Sequence, residues 1–446
     1  MSERSAWPIV TLVALGLSLL WALFLRAGVD PSDWVSAVLF TGGIAAVYWM
    51  FVRRRHLAPP PPVWVRCVIA ALPCYCAFQL LPLPLSWLRV LSPARAQLAA
   101  ALAPVLPGVT TAPIAVNPPI ALFWTFSLLS YIAVFFLLRE LGWRFAERPF
   151  TALLPLVVAG AAEAALGILQ VSSAWPNAEA SGTYTNRDHF SGMLEMILPL
   201  AVVYGWTILE RSRQTVERSW ASLIQVCLLW GAAALMLVAI VYSSSRMGLF
   251  VALGSLFVVA ALSFGPHLPS ENFRTASLTV IAIASLALFV FLPPDQLLAR
   301  FAEMSASDKL PTDTLLSIWQ ETLSLIGEFR WFGCGLGGFA ATFLKYQGAA
   351  ADHRVAMAHN DYLQYLAELG LFGFFILLAA VSGVGISLIK GLVRLTDEPR
   401  RLLLVACAGS FVAAALQSLV DFNLYIPANA MILAWIAGVA SINGLD

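Results

Sequence analysis

The chain has 446 residues, 60 % of them hydrophobic and 11 % charged, with a mean hydropathy of +0.82. Charged residues make up about a quarter of an ordinary globular protein, so there is too little polar surface here to clothe a compact body in water, and most side chains must meet lipid or one another. That excludes a soluble enzyme, a disordered scaffold and a collagen-like fibre, and a net charge of +1 excludes the basic field that draws in nucleic acid.

Apolar runs of about 20 residues, the length that crosses a bilayer, predict twelve spanning helices near 8–25, 33–52, 64–83, 119–138, 150–171, 190–209, 220–242, 247–264, 275–292, 366–389, 402–420 and 427–444. The first reads as a span, because Ser2 to Trp7 is a poor lead for a signal peptide and no small-residue cleavage site precedes Arg26. After the third span, residues 84–118 are rich in Pro and Ala, carry Arg89 and Arg95, and read as an interfacial amphipathic stretch. Residues 172–189 form a short polar loop. Residues 293–365 are long enough to fold outside the membrane, with a helical stripe of Leu315, Ile318, Trp319, Thr322, Leu323 and Ile326 that breaks at Gly333, Gly335, Gly337 and Gly338. The organisation expected is therefore spans one to nine over 1–292, an outer loop with amphipathic helices over 293–365, and spans ten to twelve over 366–446.

With the N-terminus inside, the inner loops collect Arg4, Arg53 to Arg55, Arg66, Arg139, Arg144, Arg148, Arg211, Arg213, Arg218, Arg274, Lys390, Arg394, Arg400 and Arg401, sixteen of the 26 basic residues. Basic loops face the cytoplasm, so both termini are placed there. The six cysteines have no metal-ligand spacing, and Cys334 alone lies in a polar stretch, which indicates neither a disulfide framework nor a zinc site. Asp-x-Asp, His-Glu-x-x-His and Gly-x-x-x-x-Gly-Lys are all missing from the sequence, so no motif supports metal-dependent transfer or ATP hydrolysis, and no cofactor is expected.

Two of the outer arginines stand at the ends of spans. Arg187 lies in Gly182-Thr-Tyr-Thr-Asn-Arg-Asp-His189, directly before the sixth span, and Arg246 lies in Ser243-Ser-Ser-Arg-Met-Gly248, in a hairpin with almost no loop. An arginine at that depth costs roughly 2.5 to 3.5 kcal/mol and usually faces a cavity or a partner. One reading of Arg246 is snorkelling to the headgroups. The reading preferred is an anion site, since guanidinium forks match phosphate oxygens and serine hydroxyls beside a helix N-terminus add donors. A third polar group, Ala358-His-Asn-Asp-Tyr-Leu-Gln364, closes the long loop. On a helix His359 shares a face with Leu363 and Leu366, and Asn360 with Gln364, so the polar groups are expected to converge at the outer mouth of the bundle. His359 can take a proton from a hydroxyl near neutral pH; its alternative is an interfacial histidine without chemistry. Glu163, Glu195 and Asp421 fall in or beside spans, either as functional acids or as counter-ions of the arginines.

At these positions the sequence resembles the O-antigen ligase family, whose superfamily includes the Wzy-type polysaccharide polymerases. The Thr-Asn-Arg-Asp-His-Phe segment, the Ser-Ser-Arg-x-Gly turn and a Gly-x-Gly-Gly-Phe loop carry the match, together with the family's pattern of His, then Asn, Ser or Gln, nine residues, Gly, two residues, and Gly, Thr or Tyr. Here that pattern reads His359-Asn360, Gly370 and Gly373. The likeness runs from about residue 150 to the C-terminus, while the N-terminal third matches in hydropathy alone. The resemblance implies an all-α, GT-C-like polytopic membrane enzyme of the bacterial inner membrane with about twelve helices and one large periplasmic loop. It would move a glycan from undecaprenyl pyrophosphate to a sugar hydroxyl, as in lipid A-core, without a metal, at a periplasmic active site. By the same resemblance Arg187 and Arg246 hold the donor pyrophosphate, His359 activates the acceptor, Asn360 orients it, and Asn186, His189, Ser245 and Asp361 support them. The Asp188-His189 pair departs from the ligase pattern.

Three alternatives stand beside the ligase. Many polymerases of the superfamily show an arginine followed ten residues later by glycine, which does not occur at Arg187, Arg246, Arg300, Arg330 or Arg354 and so favours a ligase. A transporter of lipid-linked sugars needs polar residues at the membrane midplane, whereas these lie at its outer edge. A polytopic scaffold would use the His-Asn segment as an interface, and substitutions there would cost stability and not turnover.

Overall fold

A computed structural model describes residues 6–52, 58–102, 104–105, 108–173, 179–214, 219–264, 312–348 and 354–442. In chain order its helices are α1 (Trp7–Phe24), α2 (Pro31–Val47), α3 (Val63–Gln79), α4 (Leu85–Leu91), α5 (Pro93–Ala101), α6 (Pro118–Arg144), α7 (Leu154–Ser173), α8 (Arg187–Gln214), α9 (Trp220–Tyr242), α10 (Arg246–Phe264), α11 (Thr312–Glu328), the single turn α12 (Phe339–Thr342), α13 (Asp361–Arg394), α14 (Glu398–Gln417) and α15 (Pro427–Ala440). A two-residue antiparallel pair, β1 (Leu83–Pro84) with β2 (Thr111–Ala112), is the only sheet among the described residues. The chain is an all-α polytopic membrane protein. Against the twelve spans expected, nine helices among the described residues are long and apolar enough to cross a membrane, and α3 and α15 are shorter apolar helices of 17 and 14 residues. The span expected at 275–292 lies outside the described residues.

One continuous core joins α1, α6, α7, α8, α9, α10, α14 and α15, with α8 at its centre. Lipid offers no hydrophobic drive between helices, so close packing holds them, and small residues let backbones approach. Gly438 of α15 rests on the Phe135 carbonyl of α6, and Gly409 of α14 on Pro199 of α8 and Val259 of α10. The outer faces are apolar: Ile9, Val13 and Leu17 on α1, and Phe375, Leu378 and Val381 on α13, are exposed where lipid would solvate them.

A lobe of α4, α5, the β pair, α11, α12 and the glycine-rich loop caps one end of the bundle around two smaller cores. Its longest helix, α11, buries Ile318, Thr322 and Leu325. Leu323, expected on that buried stripe, is 55 % exposed.

The lobe is stitched to the bundle at a kink in α13, where Gly370 takes φ +62°, ψ −176°. That backbone is open to glycine alone, and it strips the helix of several internal hydrogen bonds. Each freed group finds a partner. The Ala367 carbonyl accepts from Cys334 N (3.0 Å), the Glu368 carbonyl from Gly335 N and Gln79 Nε2 (both 3.0 Å), and the Leu369 carbonyl from the Tyr75 hydroxyl (2.6 Å). Leu371 N and Phe372 N donate to the carbonyls of Arg330 and Trp331 at 2.8 and 3.2 Å. The buried Glu368 carboxylate completes the joint by accepting from Gly337 N (2.5 Å), Phe339 N (3.2 Å), Gln364 Nε2 (2.9 Å) and the Tyr425 hydroxyl (2.5 Å). Gly370 and Gly373 of the sequence pattern thus have structural reasons: the first turns the chain, and the second leaves room for the Tyr75 ring. Gly370→Ala is expected to destabilise the purified protein by at least about 2 kcal/mol, read as a fall in melting temperature in detergent. An unchanged melting temperature would contradict this account of the kink.

Candidate functional site

Three helices begin at the lobe end of the bundle with polar caps, and each beginning is written in the local sequence. At α8, Asn186 Oδ1 accepts from Asp188 N (2.8 Å), so Arg187 is the first helical residue. At α10, Ser245 Oγ accepts from Gly248 N (3.1 Å), and Arg246 is the first residue. At α13, Asn360 Oδ1 accepts from Leu363 N (3.0 Å), and Asp361 is the first. Asn and Ser are favoured here because a short side-chain oxygen satisfies an amide that the first turn leaves without a partner. The remaining free amides and the aligned peptide dipoles make such ends attractive to anions.

α8 and α10 are parallel neighbours. Gly248 lies against Ser191 and the fully buried Glu195 of α8, close enough that a Cβ would not fit. By the rise of 1.5 Å per residue, Arg246 therefore starts its helix about one turn deeper than Arg187. Arg246 is exposed, and the turn before it is tight: Ser244 is left-handed at φ +57°, and Ser243 and Ser245 are buried. Arg187 is ion-paired with Glu179 in the preceding loop. The loop itself is moored by Glu163, which accepts from Thr183 N and Oγ1 (2.9 and 2.8 Å), and by Gln170, which bonds Gly182. Glu163 is thus a structural anchor and not a counter-ion of Arg187.

The connector between α14 and α15, residues 418–425, gathers the rest. The Asp361 carboxylate accepts from Ser418 Oγ (2.8 Å) and Leu424 N (3.2 Å), and Asp361 N donates to the Ser418 and Asp421 carbonyls at 2.9 and 3.2 Å. Asn360 Nδ2 donates to the Leu419 carbonyl (2.9 Å). This clamps the start of α13 and leaves His359 just outside the helix, at φ +50°. The helical face expected to join His359 with Leu363 and Leu366 therefore does not form. Gln364 also turns away from the mouth, accepting from Ala358 N (2.7 Å) and donating to Glu368. A non-glycine residue held at positive φ is uncommon, and such strain gathers at functional sites.

Phe422 packs edge-on between two imidazoles, with ring centroids 4.5 Å from His189 and 5.0 Å from His359. His189 Nε2 lies 3.3 Å from Asp421 Oδ1, and both residues are buried. Burial alone would raise the Asp421 carboxyl, but the charge and hydrogen bond of His189, the Phe422 amide and the His359 charge together hold it below the usual carboxylate range. The His359 imidazole is held below its ordinary value, first by burial and then by the like charge of His189, while Asp421 and Asp188 oppose the fall. No described side chain hydrogen-bonds the His359 ring, so the imidazole is available to an incoming group. A buried chain of polar contacts supports the floor: Tyr184 hydroxyl to Asn429 Oδ1 (2.6 Å), and Asn429 Nδ2 to the His189 carbonyl (3.0 Å) and Asn423 Oδ1 (2.5 Å).

The fold thus brings His359, Asn360, Asp361 and His189 around one connector, and sets Arg187 at the start of the helix that carries His189. Asn186 and Ser245 serve as helix caps. Sequence reasoning gave no part to Phe422, Ser418, Asn429 or Glu179, and read Asp421 only as a functional acid without a stated role or as a counter-ion of the arginines, whereas it lies against His189. Asn429 and Ser418, polar residues bordering apolar runs, were the available signals. Among the described residues no three His, Cys, Asp or Glu side chains gather in a way that would hold a metal ion.

No curated protein matches the chain. The protein-family model described as O-antigen ligase matches residues 231–378, a stretch that takes in Arg246, the glycine-rich loop, His359 and Gly370, and leaves Arg187 and Asp421 outside. That family implies a membrane glycosyltransferase-like activity of ligase or polymerase type on lipid-linked glycans. Over residues 231–378 the chain is therefore similar to the O-antigen ligase family.

Proposed function

We propose that the protein transfers a glycan from undecaprenyl pyrophosphate to a hydroxyl of lipid A-core on the periplasmic face of the bacterial inner membrane. The observation that carries the reading is the unbonded His359 imidazole, held beside Asp421 at the same end of the bundle as two helices that begin with arginine. His359 takes the proton of the acceptor hydroxyl, the freed oxygen attacks the anomeric carbon, and the bond from that carbon to the pyrophosphate oxygen breaks. Arg187, Arg246 and the N-termini of α8 and α10 receive the charge that builds on the leaving pyrophosphate, where a fixed positive field lowers the barrier. Attack opposite the leaving group inverts the anomeric centre. Asn360, tied to Leu419 and Leu363, fixes the turn that aims the imidazole. Arg139, Arg144, Arg211, Arg213, Arg394, Arg400 and Arg401 stand on the helix ends away from this site, which by the positive-inside rule supports a cytoplasmic assignment for that end.

Reconstituted protein given lipid-linked glycan and lipid A-core is expected to yield glycosylated lipid A-core. A ladder of lengthened lipid-linked glycan would move the protein to the polymerases, a reading that the missing Arg-x10-Gly pattern disfavours, and no product with either acceptor would return weight to transport. EDTA is expected to leave the rate intact, because two arginines take the place of a divalent ion; loss of activity restored by Mg²⁺ would contradict this.

The pH profile offers a further check. A base must be neutral to act, and a histidine with a lowered pKa stays neutral into more acidic solution. The acid limb of kcat/KM is expected to lie below the ordinary histidine value of about 6.5. Asp421→Asn removes an anion that favours the imidazolium, so the limb moves to lower pH. His189→Asn removes a like charge, so the limb moves to higher pH. Shifts in the same direction would disprove the coupling.

A further inference from the structure

Arg95, in the first turn of α5, is 7 % exposed, and its Nε has no hydrogen-bond partner. No ion pair joins it to a described residue. The described carboxylates of the lobe are engaged elsewhere: Glu328 with Lys345 (2.5 Å), Glu321 with Gly348 N (2.9 Å), and Glu368 with its four donors. Burial depresses the guanidinium pKa with no anion to oppose it. Three residues earlier, the N-cap Ser92 is 4 % exposed, and its Oγ is unpartnered and makes no cap bond. Side chains on a helix lean toward its N-terminus and lie over the turn before their own Cα, which puts a guanidinium at position 95 within reach of the turn that Ser92 caps and of the free amides of Ala94 and Arg95. Folded proteins rarely leave buried polar atoms such as Arg95 Nε and Ser92 Oγ unsatisfied, and a largely buried charge is normally paired.

We propose that Ser92, Arg95 and the N-terminus of α5 bind a phosphate group carried by the acceptor glycolipid. The donor pyrophosphate is assigned to other helices, α8 and α10. Ala94, next to Arg95, packs in one core with Val355 and Ala358, the segment that leads into His359, which places α5 on the base side of the reaction, where the acceptor enters. The guanidinium supplies a planar pair of donors for two phosphate oxygens, and the serine hydroxyl and helix amides supply the rest. This inference rests on the transfer reaction proposed above.

The test compares wild type, Arg95→Met, Arg95→Lys and Ser92→Ala in phosphatidylcholine nanodiscs, with the phosphorylated core glycolipid and the same acceptor dephosphorylated by hydrogen fluoride. Arg95→Met is expected to raise KM for the phosphorylated acceptor roughly 10- to 100-fold and to leave KM for the dephosphorylated acceptor and for the donor unchanged, with Arg95→Lys between. The melting temperature of the unliganded variant should hold or rise, since an unpaired buried charge has been removed. A fall in melting temperature with equal effects on both acceptors would make Arg95 structural and overturn the proposal, as would unchanged kinetics. If wild type transfers to neither acceptor, the transfer reading fails by itself. Millimolar inorganic phosphate then decides the site: it should raise the melting temperature of wild type and not of Arg95→Met, and equal responses overturn the assignment. A difference seen in phosphatidylglycerol nanodiscs and not with phosphate would assign the group to a bilayer headgroup and overturn the acceptor reading.

Discussion

Replacing His359 by asparagine is expected to lower kcat by about 10²- to 10⁴-fold, the usual worth of a positioned general base, with little change in KM for the donor. Asparagine is the better choice over alanine, because it tolerates the left-handed backbone that His359 adopts at φ +50°. It therefore removes the titratable ring and leaves the turn in place. The ring has no hydrogen bond to a described side chain, which leaves its nitrogens open to an incoming hydroxyl. Its neighbours are committed: Asn360 to Leu419 and Leu363, Asp361 to Ser418 and Leu424, and His189 to Asp421. If the variant keeps wild-type turnover, His359 is an interfacial histidine and the base lies elsewhere. If it loses melting temperature in parallel with activity, the segment is an interface, as the scaffold reading holds.

The second large effect is expected at Arg246. Arg246→Ala should reduce transfer by about 10²- to 10³-fold, the cost of removing one preorganised donor from a developing anion, while the protein still inserts and melts normally. The normal melting follows from the side chain's exposure, and the cap of α10 is made by Ser245 and not by the arginine. Arg246→Lys should recover part of the rate, since it restores the charge without the planar fork. Arg187→Ala should show a smaller, mixed effect, because its ion pair with Glu179 couples the loop to the helix. Wild-type activity in Arg246→Ala would remove this arginine from the site.

Much of this arrangement could be read from the sequence where one local pattern decides it. Apolar runs gave nine spans that recur among the described residues, out of twelve expected, and the starts of α8 and α10 could be seen because a short polar segment with an arginine adjoins a long apolar run. The helix of the lobe followed from a stripe that included Ile318 and Thr322, although the stripe held the exposed Leu323 and missed the buried Leu325. Other features rest on hydrogen bonds between distant segments and leave no periodic trace. Asp421 and Phe422 come more than 60 residues after His359 in the chain and still form its wall. Glu368 looks like one acid in an apolar run, although four donors from three segments converge on it. Position 359 was expected on a helix because periodicity cannot tell the first turn from the cap. The Asn360 cap and the Asp361 clamp decide that the helix starts two residues later.

The clamp also has a consequence for how the protein is made. A ribosome releases α8, α10 and the His359 turn well before residues 418–429, and domains assemble as their segments emerge. Until that late stretch inserts, His189 lacks Asp421, the Asn360 amide lacks the Leu419 carbonyl, and the Tyr184 hydroxyl lacks Asn429. On the proposed mechanism the half-made chain holds both arginines and the imidazole without the piece that aligns them, and is expected to show no transfer. The same reading expects competence to arrive late in biosynthesis, when residues 418–429 close the wall around His359.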